Sequence, residues 1–143
     1  LIANPKPAPR IRRPRRRIAS RPKRTTLKRK ADALWSELVR RRGACEAAGI
    51  AGVQCGGVLQ AAHGFPRTYY PTRWTPLNGF CICAGHHRWY TSHPIDWLEF
   101  MHVRLGEFPL EELKRLARTH SGKVDYLVVI AELKEKLRTK DGG

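Results

Sequence analysis

The chain has 143 residues, enough for one modest domain with tails. It carries 28 Lys and Arg against 12 Asp and Glu, a formal charge of +16, which implies an anionic partner, either nucleic acid or an acidic membrane surface. No apolar run approaches the length of a membrane span, and the opening Leu1–Pro5 lacks the apolar centre of a signal peptide. The expected location is therefore the cytoplasm, with no membrane partner. A reducing compartment favours metal ligation over disulfides for the four cysteines. The sequence begins with Leu1 rather than Met, which fits a fragment and a rare start codon equally well.

Charge is concentrated at the start. Residues 1–30 hold thirteen Lys or Arg and no acid, and the remainder holds fifteen against all twelve acids. Pro5, Pro7, Pro9, Pro14 and Pro22 break any helix there. Residues 1–25 are expected to form a basic tail, disordered until it binds. Its Arg15, Arg16 and Arg17 are candidate phosphate contacts that read no sequence.

A helix is expected over Thr26–Arg42, where Leu27, Ala31, Leu34, Trp35 and Leu38 recur at helical spacing and Gly43 supplies a stop. Cys45 to Cys55 is a Gly/Ala-rich loop. Val58–His63 is short and apolar, as a strand would be, and residues 64–77 read as a loop. Gly79–Cys83 is expected to be a second strand, followed by a short helix from Gly85 to Thr91. Further helices are expected over Ile95–Leu105, over Leu110–His120 with Pro109 as its start, and over Val124–Leu137. The fold class is thus α+β, with residues 26–94 as a core and its leading helix, and 95–143 as C-terminal helices. Those last helices could recruit a protein partner.

Zinc takes four soft or borderline ligands in a tetrahedron. Cys83-Ala84-Gly85-His86 is a pair with a two-residue gap, so both side chains can reach one ion. Cys45 and Cys55 form the other pair, across a wider loop that Gly49 and Gly52 allow to fold back. Cys81 is expected to point away from Cys83 and to pack in the core. The bland alternative is a set of buried thiols without metal.

Leu59-Gln60-Ala61-Ala62-His63, then Asn78, then Cys83-Ala84-Gly85-His86-His87-Arg88 resembles the HNH endonucleases, particularly the small zinc-containing ones of bacteriophages. The likeness covers about Cys45 to Pro94. It implies a ββα-metal fold, a structural zinc site and metal-assisted hydrolysis of DNA phosphodiester bonds. His63 would then be the general base. His87 would be the ligand of a catalytic divalent ion, Mg²⁺ or Mn²⁺ or another. Asn78 would either ligate that ion or hold the loop that orients His63. Many relatives carry Asp, or another ligand, immediately before the base His. Ala62 stands there in this chain, so the ion would lean on His87, Asn78, water and substrate oxygens. His86 stands where the family usually has cysteine, and is itself a competent zinc ligand. His93 is a further candidate ligand, although Ser92-His93-Pro94 also reads as a helix-ending turn.

Arg67 and Arg73, in the loop between His63 and Asn78, and Arg88, beside His87, are candidate contacts to the scissile phosphate or its neighbours. Tyr69 and Tyr70 could stack on bases, while Trp74 and Trp89 are expected in the core. The alternative function is a zinc-stabilised nucleic-acid-binding module with weak or no catalysis, to which Ala62 lends weight.

Overall fold

The computed structural model describes residues 19–50, 52–120 and 122–140. The tail residues 1–18, with Arg15, Arg16 and Arg17, lie outside the described residues. The elements run α1 (Arg24–Arg40), β1 (Leu59–His63), a single 3₁₀ turn (Pro76–Asn78), β2 (Gly79–Cys83), α2 (Ala84–Ser92), α3 (Pro94–Leu105), α4 (Glu107–Ala117) and α5 (Tyr126–Lys140). Among the described residues the protein is therefore a small α+β fold with one two-stranded sheet and five α-helices. None of these helices is long and apolar enough to cross a membrane.

β1 and β2 pair antiparallel, with His63 opposite Gly79, Ala61 opposite Cys81 and Leu59 opposite Cys83. All five residues of β2 are buried, because the hairpin is covered on both faces. On one face Cys81 joins Ala31, Trp35, Leu38 and Val39 of α1 and Ile130, Leu133 and Leu137 of α5. On the other, Ala62, Phe80 and Ile82 meet Tyr90 of α2, Phe100 and Met101 of α3, and Leu110 and Leu113 of α4. Alternation along β2 thus sends successive side chains into two cores. α5 lies along α1, so the C-terminal helices share a core with the leading helix. Gly79 is required where α1 crosses the start of β2. A Cβ there would overlap Val39 Cγ2 and come within 2.8 Å of Trp35 Cζ2.

The helix starts fall one to three residues from the sequence expectation, and two of the shifts have a visible cause. α4 begins at Glu107 rather than Leu110. Pro109 falls in its first turn, where backbone N–H groups lack helical partners and a proline costs nothing. α5 begins at Tyr126 rather than Val124, since Asp125 Oδ1 accepts from the backbone N–H of Leu127 at 3.0 Å and of Val128 at 3.4 Å. That is an N-cap, and it fixes the boundary.

Candidate functional site

Three segments, the α1–β1 loop, β2 and α2, deliver one cluster of four side chains. Cys45 lies just after α1, Cys55 in the loop before β1, Cys83 ends β2, and His86 sits in the first turn of α2. The ligand atoms of all four lie within 4.8 Å of one another. His86 Nδ1 is 3.6 Å from Cys45 Sγ, 3.7 Å from Cys55 Sγ and 3.1 Å from Cys83 Sγ. A tetrahedron with arms of about 2.3 Å to sulfur and about 2.0 Å to nitrogen has edges of roughly 3.5–3.8 Å. The donor set therefore fits a metal such as zinc.

The backbone supports the same reading. The N–H groups of Gly56 and His86 point at Cys83 Sγ, at 3.4 and 3.5 Å, and that of Cys83 at Cys45 Sγ, at 3.2 Å. Burial raises the Cys83 pKa, but these N–H donors and the His86 side chain override it and bring it down to about 6. Burial and the neighbouring thiols Cys45 and Cys83 push Cys55 up to about 11. Cys83 thus ionises readily while Cys55 resists, as expected of thiolate charges crowded together. The two knuckles also hold each other. Gly85 N–H donates to Gly56 O at 2.9 Å and Ala84 N–H to Val58 O at 2.9 Å. Gly57 has φ +80°, and a Cβ on it would lie 2.9 Å from Ala84 Cβ, so only glycine fits both the turn and the approach.

Cys81 is buried and outside the cluster, but not because it faces away from Cys83. Residues two apart on a strand share a face. What separates them is the turn into α2 at Cys83, which acts as the helix N-cap and accepts from His86 N–H.

The three remaining histidine-site residues fare differently. His63 and His87 line the same cleft of about 650 Å³. His63 Nε2 lies 2.9 Å from the Arg73 carbonyl, which can only accept, so Nε2 carries the hydrogen and Nδ1 the lone pair. Its ring stacks on Trp35, centroids 3.8 Å apart and 13° from parallel. Burial lowers its pKa to about 4, so the imidazole is neutral at pH 7. His87 Nδ1 lies 2.7 Å from Gln60 Oε1, which leaves Nε2 with the lone pair. Burial lowers its pKa as well.

Asn78 is found in the second of the two roles expected of it. It is fully buried. Its Oδ1 accepts from Phe65 N–H at 2.7 Å, and its Nδ2 donates to Phe65 O at 3.1 Å and Thr72 O at 3.2 Å. The amide is spent on closing the loop between the strands, so Asn78 holds the loop and is not a metal ligand. Arg73 departs from expectation. Its side chain is 8% exposed and bidentate on Asp32, at 2.9 and 2.8 Å, with a third nitrogen on Arg67 O at 2.9 Å. It is a strut under His63 rather than a phosphate contact. Arg67 is exposed and lines the cleft, and Arg88 is exposed on α2. Trp74 is buried and donates to Asp32, while Tyr69 is exposed. Trp89 stacks on His93, whose Nδ1 is held by Trp89 O at 2.7 Å.

Several positioning residues carried no local signal. Trp35 and Asp32 come from α1, outside the motif. Arg42 and Glu46 tie the two sites together. Glu46 accepts from Cys81 N–H at 2.6 Å and from Arg42 at 2.8 Å, and Arg42 donates to Gly79 O and Pro76 O at 2.6 and 3.0 Å, on either side of Asn78. Gln60 had a faint signal, as the one polar side chain ahead of the histidine in an apolar strand.

Comparison with protein-family models, curated proteins and solved structures finds no match.

Proposed function

We propose that the protein is a metal-dependent endonuclease of the HNH type, hydrolysing DNA, on a ββα-metal core stapled by structural zinc. The observation that carries this is the pair of histidines on one cleft, each with one ring nitrogen fixed by a protein acceptor and the other left as a lone pair. Support for zinc comes from the Cys45, Cys55, Cys83 and His86 geometry described above. Support for DNA as substrate comes from the charge of +16.

In this reading His63 Nδ1 takes a proton from water as its oxygen attacks phosphorus. The P–O3′ bond breaks, leaving a 5′-phosphate and a 3′-hydroxyl. The imidazole then gives that proton up to solvent, as its lowered pKa requires, while the departing 3′ oxygen takes one from a water. Nε2–H remains on the Arg73 carbonyl, and the Trp35 face keeps the ring from rotating away. His87 Nε2 would hold a divalent ion, Mg²⁺ or Mn²⁺, whose charge neutralises the phosphate and the departing oxygen. Such an ion keeps several waters, so a single imidazole can suffice with substrate oxygens. Gln60 fixes the His87 ring, the usual partner arrangement for a ligating histidine.

A second reading is a zinc-stabilised nucleic-acid-binding module without catalysis. It is favoured by Ala62, buried and donorless next to His63, together with the commitment of Asn78 to the loop. Nicking of supercoiled plasmid in Mg²⁺ or Mn²⁺ separates the two. The nuclease reading expects nicked circles with the wild type and none with His63→Ala, both proteins binding DNA. Equal nicking by both would remove His63 as the base, and binding without nicking by the wild type would favour the module.

A further inference from the structure

Beside the histidine cleft, α1 carries a stripe of Arg29, Ala33, Ser36 and Arg40. Their spacing of four, three and four residues keeps them within about 60° around the helix. Arg29, Ala33 and Arg40 are exposed and Ser36 is half-buried. Ala33 and Ser36 line the cleft together with His63, Arg67 and His87. Arg29 and Arg40 stand about one turn beyond them at either end. Among the described residues neither arginine side chain has an acidic partner, whereas Arg42, Arg73 and Arg104 are each paired with one. The acid on the cleft wall, Asp32, is already held by Arg73 and Trp74. The rim along α1 is therefore cationic at both ends, with small side chains in the middle.

We propose that this stripe is a rail for the phosphate backbone of duplex DNA, an assignment that rests on the nuclease reading. Ala33 and Ser36 let the strand come down to His63 and His87. Arg29 and Arg40 hold phosphates on either side of the one being cut. Eleven residues at 1.5 Å rise place the two arginines about 16 Å apart along the helix, comparable to about five base steps of 3.4 Å. They therefore grip separate phosphates, and Arg67, in the cleft itself, is left for the scissile group. A stripe with large side chains at its centre would keep the backbone away from the histidines. An ordinary solvated helix face would need no such gap.

The test uses the full chain in a His63→Ala background, so that DNA is bound without being cut. Affinity for a short duplex is measured by fluorescence anisotropy across a salt series. The double variant Arg29→Ala/Arg40→Ala is compared with Arg118→Ala/Lys134→Ala, which removes the same charge outside the cleft. Each neutralised phosphate contact contributes about 0.9 to the slope of log affinity against log salt. The rail predicts that the α1 pair lowers the slope by about 2 and the control pair far less. It also predicts that Arg29→Lys/Arg40→Lys recovers most of the loss. Equal losses for the two pairs, or an unchanged slope for the α1 pair, would overturn it, as would absence of binding by the parent at low salt. Wild type that binds through the rail but never nicks plasmid would fail the nuclease reading and leave the rail standing.

Discussion

His63 is gripped from two sides, by the Trp35 face and by the Arg73 carbonyl, and both contacts bear on how it titrates. Burial holds its pKa near 4, against 6.5 for the free side chain. The unfolded chain therefore binds this proton more tightly than the folded one. Stability falls as pH drops below about 6.5, and this group adds no further loss below about 4. Melting temperature should thus fall less steeply between pH 7 and 5 in His63→Gln than in the wild type, and parallel curves would contradict the burial. His87 invites a different substitution. Gln60→Ala frees its ring while leaving its ligating nitrogen intact, so the concentration of Mg²⁺ needed for half-maximal nicking should rise roughly 10–100-fold. An unchanged requirement would remove Gln60 from the site.

At the scale of elements, the motif half of the site was legible and the supporting half was not. Cys83, His86 and His87 sit within five residues of one another, so their spacing alone implies a knuckle running into a helix. The bounds of β2, Gly79–Cys83, are those its sequence implies, because an apolar run between a turn and a knuckle has little freedom. The contribution of α1 is tertiary. Asp32 and Trp35 lie about thirty to forty residues before the groups they hold, and no local pattern announces such a pairing. The same distance hid the fate of Arg73, which looks like a free cation in its loop until Asp32 is placed beside it. Asn78 was ambiguous in sequence because a turn residue and a ligand read alike, and its three hydrogen bonds decide for the turn. Cutting the clamp tests this. Asp32→Ala should cost about 2–3 kcal/mol of stability, below the value for a fully buried pair because Asp32 retains 27% exposure. It should also slow nicking, since the loop that carries the His63 acceptor would loosen. A variant as stable and active as the wild type would show the clamp to be idle.

Across the whole molecule, a thin hairpin is held between two helical layers, and the cysteine cluster lies where the loop before β1 meets the start of α2. The protein is small, and a metal held by this cluster would add what a modest core lacks. In the proposed function one metal serves folding and another serves cutting. The measurement that reaches this division most directly is mild chelation of the zinc-loaded protein, followed on one sample by zinc content, melting temperature and plasmid nicking. The expected result is that nicking is lost and returns on adding Mg²⁺, while one zinc per chain and the melting temperature are retained throughout. Nicking that survives without added ion, or that returns only with zinc, would contradict it.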